Sequence, residues 1–145
     1  MKIALAQFDP IVGDIAGNLR KMSQSVDAAS AAGADLVVFS ELSVCGYPPR
    51  DLLRKTSFVR DNELAVRRLA GRCTHTAALV GFVRAAPDAV GRPFQNAAAL
   101  LADGAVQCVH AKSLLPTYDV FDEARYFEPG DEPGILRVGG RTIGL

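Results

Sequence analysis

An α/β fold is what this sequence predicts, and three observations predict it. Apolar runs of strand length, Lys2 to Phe8, Asp35 to Phe39 and Ala77 to Val83, alternate with two long stretches whose apolar residues recur at helical spacing. Strand, helix and strand within the first forty residues make a βα unit feeding a sheet. Asp103-Gly104 and Gly139-Gly140 each separate two short apolar runs, which is hairpin spacing.

The first strand runs from Lys2 to Phe8 and is stopped by Asp9-Pro10. Gly13-Asp14 and Gly17-Asn18 mark a loop, with Asn18 the expected cap of the first helix. Leu19, Met22, Val26 and Ala29 form that helix's apolar side, and Ala31-Ala32-Gly33 ends it. Asp35 to Phe39 is β-branched and aromatic, as a strand buried on both faces should be. A loop through Glu41 and Gly46-Tyr47-Pro48-Pro49 follows. Thr56 is the expected cap of a second helix with Val59, Val66, Leu69 and Ala70 inward. Arg67, Arg68 and Arg72 face outward near its C-terminal end, where cations suit the helix dipole.

Ala77 to Val83 is a third strand. A polar loop from Pro87 to Pro93 precedes two strands, Gln95 to Leu101 and Ala105 to Ala111, and Lys112 follows the second directly. Residues 114–127 show neither period and read as a long ordered loop, a feature more often functional than not. Ile135 to Val138 and Arg141 to Leu145 are the arms of a last hairpin.

With 145 residues, one domain and a real core fit, and two domains do not. Sixteen basic residues balance sixteen acidic ones, so no electrostatic footprint for nucleic acid or an anionic membrane exists. No apolar run is long enough to span a bilayer, and Asp9-Pro10 comes too early for a signal peptide. Three cysteines without CxxC spacing argue against a disulfide framework and a zinc site, and place the chain in the cytosol. Neither GxGxxG nor a P-loop lysine is present.

Two residues of opposite charge, Glu41 and Lys112, each end an apolar strand. Strand ends of like polarity meet at one rim of a sheet, so the two can converge there as a proton acceptor and an oxyanion partner. Each also has a plainer reading, as a solvated loop acid and a snorkelling surface lysine. Cys45, Cys73 and Cys108 are the available thiols, and a free cysteine is more often a small buried apolar residue than a reactive thiolate.

Three stretches carry a resemblance. They are Ile3-Ala4-Leu5-Ala6-Gln7 with Gly13-Asp14 and Gly17-Asn18; Phe39-Ser40-Glu41-Leu42 with Cys45-Gly46-Tyr47-Pro48-Pro49-Arg50-Asp51-Leu52; and residues 112–127, from Lys112-Ser113-Leu114-Leu115-Pro116 to Phe127. Together they span nearly the whole chain, which resembles the N-terminal portion of a nitrilase-superfamily (carbon–nitrogen hydrolase) domain. Within that superfamily it is most similar to the glutamine amidotransferase domains of glutamine-dependent NAD+ synthetases. The resemblance implies residues 1–145 of an incomplete four-layer αββα sandwich. It makes Glu41 the general base and Lys112 the catalytic lysine, with Tyr47, Phe121 and Glu123 lining or ordering a glutamine pocket. The family's nucleophilic cysteine follows a strand like Arg141-Thr142-Ile143-Gly144-Leu145, so it is expected just beyond Leu145. Cys45, Cys73 and Cys108 do not match it.

What the resemblance implies for function is hydrolysis of the glutamine side-chain amide. The ammonia would serve amidation of deamido-NAD by a synthetase domain not contained in this chain. The amidase step needs no metal or other cofactor, whereas ATP and Mg2+ belong to the synthetase step. A homo-oligomer is expected, and these residues alone are expected to be inactive. Leu79, Val80, Leu100, Leu101 and Val109 are expected on sheet faces short of a covering layer. Two other readings stand beside this one: an amidase acting on a different small amide, and a non-catalytic piece that only associates with itself or with a missing half.

Overall fold

The computed structural model describes residues 1–87, 91–119 and 121–145. Residues 88–90 of the expected polar loop, and Val120 of the expected irregular segment, lie outside the described residues. Five strands form one mixed sheet in sequence order: β1 (Ile3–Ala6), β2 (Leu36–Phe39), β3 (Ala77–Ala85), β4 (Phe94–Ala102) and β5 (Ala105–Ala111). β1, β2 and β3 are parallel, and β3, β4 and β5 are successively antiparallel. The two parallel crossovers are α1 (Ile15–Ala31) and α2 (Thr56–Ala70). Crossovers of one hand between strands in sequential order put both helices on the same face of the sheet. There they enclose the main core with Met22, Val26, Val66 and Leu69 against Val37, Val80, Ala99 and Leu101.

Local chemistry sets the helix ends, and it differs at two places from the expected caps. Asp14 rather than Asn18 caps α1, its Oδ1 accepting from the Gly17 N–H at 2.9 Å. Asn18 lies inside the helix and is fully buried. It accepts from the Ile11 N–H at 2.9 Å and donates to the Ile11 and Val44 carbonyls at 2.9 and 3.1 Å. An asparagine serves here as a clasp between two loops because an amide can donate and accept at once. Thr56 is the first residue of α2 and makes no side-chain cap, with Lys55 preceding it in extended backbone.

The Asp103-Gly104 turn forms as expected, both residues having positive φ (53° and 75°), as a tight hairpin turn requires. A second hairpin, β6 (Ile135–Val138) and β7 (Arg141–Gly144), turns at Gly139-Gly140. It packs on the face opposite the helices, where Leu136 and Val138 meet Leu36, Ala77 and Leu100. That packing corrects the expected list of uncovered sheet residues. Val80 and Leu101 are 0% exposed beneath the helices, and Leu100 is buried beneath the hairpin. Strand alternation decides the matter: neighbours along a strand face opposite layers. On the five-stranded sheet, the large apolar side chains left exposed among the described residues are Ile3 and Leu5, on the edge strand β1.

Candidate active site

Glu41 stands in a turn that begins as β2 ends. The Cys45 and Gly46 N–H groups both donate to the Leu42 carbonyl, at 3.1 and 2.8 Å. Leu42 itself has φ of 47°, a conformation costing a side-chain-bearing residue on the order of 1–3 kcal/mol. Complete burial of Leu42 between α2 and β3 holds it there. Gly81 on β3 lets the turn lie directly on the sheet. A Cβ at Gly81 would fall 2.5 Å from the Leu42 nitrogen and 2.7 Å from the Ser40 oxygen. The Gly81 carbonyl also accepts from the Val44 N–H and the Ser43 hydroxyl, each at 3.3 Å.

Lys112 reaches the same place from β5. β5 runs parallel to β2 because two antiparallel steps, β3 to β4 and β4 to β5, restore the direction. Both strands therefore end at one rim. The Lys112 N–H donates to the Asn96 carbonyl at 2.8 Å, and its own carbonyl accepts from Gly130 at 3.0 Å. With its backbone so tied, the ammonium donates to Glu41 Oε1 at 2.7 Å. On its other side it meets Glu123, with Oε1 at 3.2 Å and Oε2 at 3.1 Å.

Glu123 begins a short 3-10 helix, Glu123–Arg125, inside the segment between Lys112 and β6. It is 3% exposed, so its charge depends on partners. Besides Lys112 it accepts from the Tyr47 hydroxyl at 3.1 Å. Asn96, on β4 and likewise 3% exposed, bridges the two acids. Its Nδ2 lies 2.6 Å from Glu41 Oε1 and 3.5 Å from Glu123 Oε2.

Electrostatics follow from this packing. Burial pulls the Lys112 ammonium down, but hydrogen bonds and charge from Glu41 and Glu123 outweigh it and leave the group above its ordinary value. The Tyr47 phenol is pushed well above its usual range, first by burial and then by the Glu123 and Glu41 charges. Two carboxylates facing one ammonium leave the cluster net negative. Such a site holds a proton acceptor and a cation together, able to take a proton from a nucleophile and to face a developing oxyanion.

Glu41 and Lys112 line a cavity of about 630 Å³ on the sheet face opposite the helices, together with Asn96, His110, Leu79 and Leu145. Tyr47 and Glu123 border a separate cavity of about 360 Å³ on the far side of the lysine. Phe121 lies beside Tyr47, ring centre to ring centre at 6.2 Å. The thiols stand apart. Cys45 and Cys73 are buried, and burial pushes each up to about 11. Cys108 is exposed, and no cysteine is among the residues lining the larger cavity.

Asn96 was not singled out by the sequence, although a carboxamide amid Ala97-Ala98-Ala99-Leu100 was a signal. Gly81 carried a weaker one, as a lone glycine inside a strand pattern.

A mixed sheet with both helices on one face, and an acid and a lysine joined at its rim over the other, defines the class. The chain belongs to the carbon–nitrogen hydrolase family, whose model matches residues 2–144. Among individual proteins it is similar to the glutamine-dependent NAD(+) synthetase of Thermotoga maritima, 39% identical over 147 residues. That match covers 100% of this chain and 25% of the relative. The corresponding synthetase of Synechocystis sp. is 44% identical over 129 residues, covering 86% of this chain and 23% of its own. This chain thus spans about a quarter of the length of such relatives. The solved structure of the glutamine-dependent NAD+ synthetase from Acinetobacter baumannii, in complex with ADP, superposes with a TM-score of 0.89 at 37% identity. It is covered over 26% of its length, by 98% of this chain. An amidase from Nesterenkonia sp. superposes at 0.82 with 27% identity, over 99% of this chain and 54% of its own. The helix layer and sheet layer described above are those of an incomplete nitrilase-type αββα sandwich. Among the described residues no group of His, Cys, Asp and Glu is placed to hold a metal, and no helix is long and apolar enough to cross a membrane.

Proposed function

We propose that these residues form part of a glutaminase site that supplies ammonia to a glutamine-dependent NAD+ synthetase. The observation that carries the reading is the Lys112 ammonium held between Glu41 at 2.7 Å and Glu123 at 3.1 Å over an open cavity. In this reading Glu41 takes the proton of a cysteine thiol supplied by the rest of a longer polypeptide, and the thiolate attacks the amide carbon of glutamine. The Lys112 ammonium faces the oxyanion of the tetrahedral intermediate. Glu41 returns its proton to the departing nitrogen, ammonia leaves, and a thioester remains. Water that yields a proton to Glu41 then cleaves the thioester to glutamate and frees the thiol.

Glu123, Tyr47 and Phe121 order the lysine and the pocket around it. No resident cofactor takes part in amide cleavage, while ATP and Mg2+ serve the amidation of deamido-NAD in a synthetase domain. The expected setting is cytoplasmic, and the expected assembly is a homo-oligomer. Residues 1–145 alone should release ammonia only at background, since the cavity beside Glu41 holds no thiol.

The test is ammonia release from glutamine by the full-length polypeptide that contains these residues. Glu41→Gln and Lys112→Met should each lower it to background while circular dichroism stays that of a folded domain. Near-normal turnover in either variant sinks the assignment. A second reading, hydrolysis of another small amide, draws on the likeness to the Nesterenkonia amidase, one form of which is described with acrylamide added at its active site cysteine. Faster turnover of a simple aliphatic amide than of glutamine would favour it.

A further inference from the structure

The Asn96 carboxamide is a neutral group that touches both acids of the cluster, and it sits where an apolar residue would suit the strand. Its neighbours on β4, Ala97, Ala99 and Leu101, are buried apolar residues, and Asn96 is as buried as they are. A carboxamide placed there without partners would be costly, so its contacts explain its presence. Those contacts go to the site, the Nδ2 group reaching both Glu41 and Glu123, while the residue's backbone carbonyl accepts from the Lys112 N–H. Facing two acids, the side chain must present its NH2, because its own oxygen would be repelled by both.

We propose that Asn96 is the positioning residue for proton transfer by Glu41. Its Nδ2 and the Lys112 ammonium both donate to the same oxygen, Oε1, at 2.6 and 2.7 Å. Among the described residues Oε2 takes no hydrogen bond. Two donors on one oxygen fix the rotation of the carboxylate and turn the other oxygen to the cavity, where a proton can be received. Lys112 alone cannot do this, because a flexible ammonium shared with Glu123 leaves the Glu41 carboxylate free to rotate. Asn96 sits on the rigid strand between the two acids, so it holds Glu41 against the sheet and apart from Glu123.

This inference rests on the role proposed above for Glu41, and two measurements keep the two separable. Asn96→Leu preserves volume and removes the donor. In the full-length polypeptide it should lower kcat for glutamine on the order of 100-fold. KM should stay within about threefold, because binding is left intact. Asn96→Asp keeps size and polarity, exchanges the donor for an acceptor, and should lose at least as much, which guards against a folding defect peculiar to leucine. The second measurement uses residues 1–145 with 13C in the glutamate side-chain carboxyls, the Glu41 signal being assigned by its loss in Glu41→Gln. That resonance should move and broaden in both Asn96 variants, while that of Glu128 stays in place. A normal kcat in either variant, or an unmoved Glu41 resonance, overturns the proposal. Should the wild-type polypeptide fail to hydrolyse glutamine, the Glu41 role falls, and the carboxyl resonance still decides whether Asn96 holds that side chain.

Discussion

Lys112 shows how one residue's environment turns into a measurable property. Its ammonium loses solvation by burial and regains more from Glu41 and Glu123, so its pKa in the folded chain lies above the ordinary 10.5. A lysine raised in this way contributes stability that is fully present below about pH 10.5 and lost as pH rises through the higher folded value. The urea midpoint of the wild-type chain should therefore fall more steeply above pH 10.5 than that of Lys112→Met. Subtracting the variant's curve removes the titration of the other lysines and the tyrosines. Parallel curves for the two proteins would mean that the ion pairs seen at 2.7 and 3.1 Å contribute nothing in solution. Glu123 gives the complementary case: it is almost fully buried, and donors from Lys112, Tyr47 and Asn96 converge on its carboxyl.

Among the elements, β3 has the most to do with where Glu41 stands. Gly81 lets the turn after β2 rest on the strand, and its carbonyl takes two hydrogen bonds from that turn. The atoms that an added methyl would meet are backbone, so no side chain can swing aside. Gly81→Ala should therefore lift residues 40–44 from the sheet, at a cost of about 1–3 kcal/mol. Thermal melting measures the loss, and the Glu41–Lys112 distance should lengthen in a crystal structure of the variant. A melting temperature equal to that of the wild type would show that the turn is not pinned as described. β4 lies beside β3 and carries Asn96, so these two strands position both the Glu41 turn and the carboxamide that meets its carboxylate.

The molecule as a whole has two unlike faces. Helices α1 and α2 seal one side of the sheet, whereas β6 and β7 cover only part of the other. Leu5 is 72% exposed on the incompletely covered face, with Ile3 beside it at 46%. The chain carries no net charge at pH 7, so little long-range repulsion opposes contact between copies. Apolar side chains exposed on an edge strand favour association. Sedimentation velocity on residues 1–145 should show association that grows with concentration, and Leu5→Lys should shift the population toward monomer. Stability should change by no more than about 0.5 kcal/mol, as for other exposed substitutions. A concentration-independent monomer in the wild type would remove this face as the surface of contact.

Much of this architecture is written in local pattern. The βα units, the apolar sides of α1 and α2 and both glycine-turned hairpins follow from periodicity and turn chemistry, which act between near neighbours. The positions of Glu41 and Lys112 at the ends of strands were legible for the same reason. Their resemblance to a family's base and lysine came from motif order along the chain. The tertiary structure decided what depends on residues far apart. That Asn18 clasps two loops while Asp14 caps the helix could be settled only once Val44 was brought beside α1. That Val80 and Leu101 lie beneath helices, while Leu5 stands open, depended on which layer each side of the sheet meets. That Asn96 belongs with Glu41, 55 positions earlier, and with Glu123, 27 later, is a property of sheet register. Local sequence carries no record of such pairs, because a hydrogen bond across a fold is fixed by where the strands come to rest.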